Sequence, residues 1–202
     1  MVNEISINSD FTEYKKAFLE ENAKHNLISK NDEKFLYEKH IYDSLSLKLF
    51  LDKYGIKKAK VLDIGCGGGF PCVPLAIEFP EIKILGVDSI RKKINSVQTI
   101  SDSLELKNLE LICDRVENLK EKNFDIVISR AVADMAKISE YALPLVKKGG
   151  YFVAYKSKKA MEELESAKSV LKKYNAEVVD ILEYTLPLEE VYERNLVCVK
   201  RR

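Results

Sequence analysis

Val61-Leu62-Asp63-Ile64-Gly65-Cys66-Gly67-Gly68-Gly69-Phe70-Pro71 is the stretch whose reading decides the fold of this chain. An apolar run ends in an acidic residue, and a glycine-rich turn follows. Pro71 then opens a helical pattern through Val73, Leu75, Ala76 and Ile77. The unit predicts a strand, a turn and a helix, with the turn stripped of side chains. Such a turn lets backbone N–H groups approach a ligand at a helix N-terminus. The spacing also argues against one ligand class. The dinucleotide fingerprint G-x-G-x-x-G requires glycine at position 70, and Phe70 stands there.

Outward from this unit, the chain alternates. Strands are predicted at 60–64, 82–87, 109–113, 124–129, 150–155, 176–184 and 195–200, and helices at 71–79, 91–104, 134–146 and 159–174. Alternation of this kind predicts a doubly wound, mostly parallel sheet. The ending differs: segment 176–184 reaches 195–200 through a loop containing Pro187 and no helix, which predicts an antiparallel hairpin. Residues 9–28 and 32–53 carry helical periodicity, shown by Leu36, His40, Asp43, Leu47 and Phe50. Residues 1–57 therefore read as an N-terminal helical extension of a single domain spanning 1–202.

The bulk numbers agree with a soluble enzyme-sized domain. The chain has 202 residues, 46% apolar and 32% charged, with a net charge of +1. Residues 1–10 show no basic region followed by an apolar stretch, and no apolar run approaches the roughly 18–20 residues of a membrane helix. Cys66, Cys72, Cys113 and Cys198 have no C-x-x-C spacing, so they read as reduced thiols of a cytoplasmic protein rather than metal ligands.

Ligands of open α/β sheets bind beyond the carboxyl ends of the strands. The first such end is Asp63 and the glycine turn. Its form Gly65-x-Gly67-x-Gly69 is similar to that of S-adenosylmethionine (SAM) methyltransferases, which hold an amino acid joined to a nucleoside rather than a pyrophosphate. The second end carries Asp88, about 20 residues after the glycines, where a carboxylate accepts both ribose hydroxyls. A helix N-cap is the competing role for Asp88 and Ser89. The third end, Cys113-Asp114-Arg115-Val116-Glu117, lies where an adenine edge would sit, although Glu117 also suits a helix first turn. The fourth, Ile128-Ser129-Arg130-Ala131, faces the transfer site.

That fourth end discriminates between chemistries. An Asn/Asp-Pro-Pro-aromatic motif, typical of adenine amino methylation, is absent. The Pro71-Cys72 pair sits at the start of the first sheet helix, on the cofactor side, so it does not read as the nucleophile of a cytosine-C5 enzyme. The acceptor should already be nucleophilic, and guanine N7 has a lone pair and no proton to lose. Catalysis then reduces to alignment and tolerance of charge change. Arg91-Lys92-Lys93, Arg130 and Lys156, Lys158 and Lys159 follow three strand ends, so a near-neutral protein presents a basic rim suited to phosphates. Solvated helix surface is the plainer reading of Lys92, Lys93 and Lys159.

The chain resembles the small-subunit (16S) ribosomal RNA guanine-N7 methyltransferases, formerly called glucose-inhibited division protein B. The likeness runs through Asn26-Leu27, His40-x-x-Asp43-Ser44-Leu45, Leu62-Asp63-Ile64-Gly65-x-Gly67-x-Gly69-Phe70-Pro71 and Pro74-Leu75-Ala76-Ile77. It continues through Asp88-Ser89-x-x-Lys92-Lys93, Arg115-x-Glu117, Ser129-Arg130-Ala131 and Lys156. It implies the Rossmann-like seven-stranded SAM-dependent methyltransferase fold with one antiparallel strand near the C-terminus. It implies cofactor contacts at Gly65 and Phe70, with Val116 and Glu117 beside the adenosine and Arg130, the catalytic candidate, near the transferred methyl. Gly67, Gly69 and Asp88 complete the expected cofactor set, and Arg91, Lys92, Lys93 and Lys156 the RNA-facing set. Cys72 and Ser157 depart from the pattern, each replacing a glycine. The implied partner is small-subunit ribosomal RNA or the subunit itself, bound by a monomer without metal or membrane.

His40, Asp43 and Ser44 fall at i, i+3 and i+4 on one helix face. They read as a hydrogen-bonded joint to the sheet rather than as catalytic groups, because N7 transfer leaves a histidine nothing to deprotonate. Three rival functions use the same features: methylation of a small molecule or protein, a non-catalytic SAM- or RNA-binding module, and nicotinamide redox chemistry, which Phe70 argues against.

Overall fold

The computed structural model describes residues 5–202; residues 1–4, the start of both the leader reading and the helical extension, lie outside the described residues. The N-terminal segment comprises α1 (Thr12–His25), α2 (Lys30–Glu33), a π-helical turn (Leu36–Tyr42), α3 (Asp43–Leu45) and α4 (Leu47–Lys53). Then follow β1 (Lys60–Ile64), α5 (Cys72–Glu78), β2 (Lys83–Asp88), α6 (Arg91–Ser103), β3 (Leu109–Cys113), a 3₁₀ turn (Val116–Asn118) and β4 (Phe124–Arg130). The chain closes with α7 (Met135–Ala142), β5 (Val146–Ser157), α8 (Ala160–Lys173), β6 (Ala176–Leu186) and β7 (Tyr192–Arg201).

The seven strands form one sheet in the order β3-β2-β1-β4-β5-β7-β6. All pairings are parallel except those of β7, which inserts between β5 and β6 and runs antiparallel to both. This is the expected mostly parallel sheet with an antiparallel strand near its end. The strand order reverses between β1 and β4, and that switch point fixes where a ligand crevice opens.

The two-residue period of β1 explains the layering. Leu62 and Ile64 pack with Met135, Ile138 and Leu171 from α7 and α8. Val61 faces the opposite layer, where α5 and α6 pack together with Tyr14, Phe18, Leu45 and Phe50 of the N-terminal helices. Among the described residues, no helix is long and apolar enough to cross a membrane.

Several predicted boundaries shift for identifiable reasons. The 9–28 helix shortens to α1: the Asp10 carboxylate accepts from the backbone N and the hydroxyl of Thr12, starting the helix there. Asn26 ends it in a left-handed conformation, φ 49°. The 134–146 helix stops at Ala142: Leu143 keeps helical dihedrals and bonds back to Ser139 O, but Pro144 has no N–H to carry the ladder on. β5 instead starts at Val146, with a register shift against β4 and Gly149 at φ +78°. The 32–53 helix is broken into four pieces, one of them the π turn.

Candidate active site

Beyond the carboxyl ends of β1, β2, β3 and β4 lies a cleft of about 610 Å³. The glycine turn forms its floor, with Gly65 N and Cys66 N both donating to Val87 O of β2, at 2.8 and 3.1 Å. Gly65 has φ +71°, and a Cβ there would lie 2.5 Å from Val132 Cγ2. Only glycine fits that contact and that dihedral. Gly65, Gly67, Gly68 and Phe70 line the cleft. Gly69 does not: a Cβ there would meet Val73 at 2.9 Å, so it serves the packing of the turn on α5.

Asp88 stands at the end of β2 and lines the cleft. Its Oδ2 accepts from Gly67 N at 2.9 Å and its Oδ1 from Ile90 N at 2.8 Å. Asp88 is not the N-cap of α6; Ile90 holds that position, with no side-chain cap bond. The carboxylate ties the turn to the start of α6, and each oxygen keeps acceptor capacity for a ligand hydroxyl. Val116 and Glu117, in the 3₁₀ turn after β3, line the same cleft, as does Lys93 of α6. Arg91 and Lys92 are exposed at the α6 N-terminus, outside the lining.

Arg130, at the end of β4, is fixed on every side. Its Nη1 donates to Asp43 Oδ2 at 2.9 Å and to Lys39 O at 3.3 Å. Its Nη2 lies 3.3 Å from His40 Nδ1, and its guanidinium sits 5.2 Å from the Phe70 ring centre. The ion pair is largely dry, with side chains 15% and 5% exposed for Arg130 and Asp43. Tyr184 donates to Asp43 Oδ1 at 2.7 Å, and Tyr155 donates to Ser44 O at 2.7 Å. His40, Asp43 and Ser44 thus make the joint to the sheet, and the joint also immobilises Arg130.

A second cleft, about 700 Å³, opens on the other side of Arg130. Its walls include Lys39, Tyr155, Tyr184, Tyr192 and Arg194, and Arg130, Ala131, Val132 and His40 belong to both clefts. Lys156 also lines it, with its Nζ on Ala133 O and Glu163 Oε2, both at 2.7 Å. Of the sequence-expected residues, the structure gathers Gly65, Gly67, Phe70, Asp88, Val116, Glu117, Lys93 and Arg130 at one cleft and Lys156 at its neighbour.

Sequence reasoning missed Leu27, Ile28, Val132 and Tyr141, which also line the donor-side cleft. Asn22 positions the first two: its side chain accepts from Ile28 N at 2.8 Å and donates to Glu33 at 2.7 Å. Leu27 then lies against Gly68, where a Cβ would meet it at 3.2 Å. The Asn26-Leu27 pair was the available signal.

Asp63, buried at the end of β1, accepts from Cys72 N at 3.2 Å through Oδ2 and leaves Oδ1 without a partner. Burial pushes its carboxyl up to about 7, against the pull of Arg130. Burial, helped by Arg130, pushes His40 down to about 4, so the ring is neutral at physiological pH.

The first cleft fits SAM by its donor and acceptor set. A Cβ at Gly67 would find only Gly65 O at 3.8 Å and Lys93 Nζ at 4.0 Å, so ligand atoms have room beside the backbone. Asp88 would offer its carboxylate to the ribose hydroxyls, and Val116 and Ile90 give the same cleft apolar surface suited to an adenine.

The fold and the sequence each have known relatives. The fold is similar to that of M. jannaschii TYW2 in complex with AdoMet, with a TM-score of 0.59, 18% identity, and coverage of 72% of this chain and 70% of that one. It is likewise similar to a SAM-dependent O-methyltransferase from Thermotoga maritima, with a TM-score of 0.58, 17% identity, and coverage of 79% and 65%. In sequence, the chain is 39% identical over 196 residues to ribosomal RNA small subunit methyltransferase G of Staphylococcus saprophyticus, covering 95% of this chain and 81% of that protein. With the family model matching residues 7–196, the chain belongs to the GidB family, rRNA small subunit methyltransferase G.

Proposed function

We propose that this chain transfers the methyl group of SAM to N7 of a guanine in small-subunit (16S) ribosomal RNA. The observation that carries this reading is the shared wall. Arg130, Ala131 and Val132 separate a cleft fitted to SAM from a second cleft of about 700 Å³ that can take the acceptor. When bound, SAM supplies an electrophilic methyl on a positively charged sulfur and departs as a neutral thioether. Guanine N7 attacks with its lone pair, so no residue has to remove a proton.

The work of the chain is then orientation. Asp88 and the glycine turn fix the donor. Arg130, held by Asp43, His40 and Lys39, keeps one position at the seam, and such preorganisation is what alignment catalysis requires. The guanine leaves its stack to bring N7 in line with the methyl. Arg91 and Lys92, exposed beside the donor cleft, together with Lys93, face the RNA backbone in this reading. The enzyme acts as a cytoplasmic monomer on the RNA or the assembling subunit.

The test uses labelled SAM with ribosomal RNA, and separately with subunits, from cells lacking this protein. Incorporation is followed by chemical cleavage at 7-methylguanosine. One cleavage in small-subunit RNA, lost with Asp88→Ala or Arg130→Ala, is the expected result. Incorporation into no RNA, by protein that still binds SAM, would send the acceptor assignment elsewhere.

A further inference from the structure

Residues 131–134 join Arg130 to α7; Ala131 and Val132 form the partition between the two clefts, and Ala133 and Asp134 line the second. The partition is not held by its own backbone preferences. Ala131 takes φ +56°, a conformation costly for a residue with a Cβ. Val132 is exposed, yet it stands directly on the glycine turn, against Gly65. Something outside the loop must hold it there.

Lys156, at the end of β5, and Glu163, on α8, make the connection. Lys156 Nζ donates to Ala133 O and to Glu163 Oε2, each at 2.7 Å, and the same Oε2 accepts from Met135 N at 2.9 Å. The Lys156 side chain is only 10% exposed. Two of its three ammonium donors are thereby engaged, in charge-assisted bonds away from bulk water.

We infer that Lys156 and Glu163 are positioning residues for methyl transfer: they strap the 131–134 loop to β5 and α8, which keeps Val132 over Gly65. The inference deepens the two-cleft reading and rests on it. It also separates Lys156 from the other basic residues near the rim, because its charge serves the loop and not the RNA.

The experiment compares the full chain with K156M, E163Q and the double variant. It measures kcat, the KM for SAM, the KM for RNA as a function of KCl, and hydrogen exchange at the amides of residues 133–135. K156M is expected to raise the KM for SAM by about tenfold or more, the scale of a displaced positioning element. The salt slope of the RNA KM should stay unchanged. E163Q should move the same parameters in the same direction and speed exchange at Met135. The double variant should be no worse than K156M, since the two residues act as one unit.

A K156M protein with unaltered SAM KM and an RNA salt slope reduced by about one would make Lys156 a phosphate contact and overturn the strap. Unchanged exchange at 133–135 in both single variants would overturn it equally. If K156M does not fold, the near-isosteric E163Q carries the test. If the parent protein methylates no ribosomal RNA, the acceptor assignment fails alone, and SAM affinity and exchange still decide the strap.

Discussion

His40 Nδ1 lies 3.3 Å from Arg130 Nη2, and a guanidinium has only donors to offer. Nδ1 is therefore the acceptor, and the ring proton is assigned to Nε2. The ring must stay neutral for this bond to exist, and its depressed value, about 4, keeps it so. Asp63 is perturbed in the opposite sense, up to about 7. The two have opposite consequences for stability. His40 binds its proton more weakly folded than unfolded, so its contribution is present above about 6.5 and lost as pH falls toward 4. Asp63 binds its proton more tightly folded, so its contribution is present near 3.8 and lost as pH rises toward 7. Denaturant unfolding of the parent, His40→Gln and Asp63→Asn proteins across pH 4–7 checks this. Relative to the parent, His40→Gln should gain a falling slope with rising pH, and Asp63→Asn a rising one. Difference curves that are flat across the window would show that neither group is shifted. A second consequence concerns Arg130 itself. Arg130→Lys loses the forked contact to Asp43, Lys39 and His40, so kcat should fall while SAM affinity changes little, as single-turnover rates and SAM calorimetry would show.

At the scale of elements, the glycine turn allows a controlled comparison. Gly65 and Gly149 both have positive φ, at +71° and +78°. A Cβ at Gly149 meets nothing within 4 Å, whereas one at Gly65 meets Val132 at 2.5 Å. Alanine at either site should cost about 1–2 kcal/mol in backbone strain, visible in denaturant midpoints. Only Gly65→Ala should also weaken SAM binding, because it alone pushes the 131–134 loop off the turn. Equal SAM affinities for the two variants would remove the loop from the donor site. The strand–turn–helix unit was legible because glycine spacing and an apolar run are local signals, and β1 and β3 fall at the residues the pattern marks. The π turn at Leu36–Tyr42 was not legible, since its wider backbone register has no residue signature. It sits beside the site, where such turns recur, and delivers His40 and Asp43 to the same guanidinium. The Lys156–Glu163 bond was equally invisible: its partners come from β5 and α8, and a lysine after a strand reads as rim until its acceptors are seen.

Over the whole molecule, the N-terminal helices and the sheet share one core. Phe11, Tyr14 and Phe18 lie in the same apolar cluster as Val61, Val73 and Ile126. Phe18 and Phe70 have ring centres 5.0 Å apart, and Tyr14 and Phe70 6.3 Å, so α1 packs directly on the glycine turn's own phenylalanine. The amides of Asn8 and Ser9 donate to the Glu78 carboxylate at the end of α5, fastening the chain ahead of α1. Residues 5–57 are thus a wall of the site as well as a cover for the sheet, since Leu27, Ile28 and His40 line the donor-side cleft. Folding of the extension and formation of the cofactor site should therefore be a single event. Phe18→Ala removes a fully buried ring and should cost about 3–5 kcal/mol. The same variant should lose SAM affinity, because Phe70 loses its support, and saturating SAM should restore part of the lost Tm by mass action. Thermal melts followed by far-ultraviolet dichroism and by tyrosine fluorescence should coincide in the parent and in Phe18→Ala. An early transition confined to one probe, with SAM affinity intact, would instead make residues 5–57 a separable unit docked on an independently folded sheet.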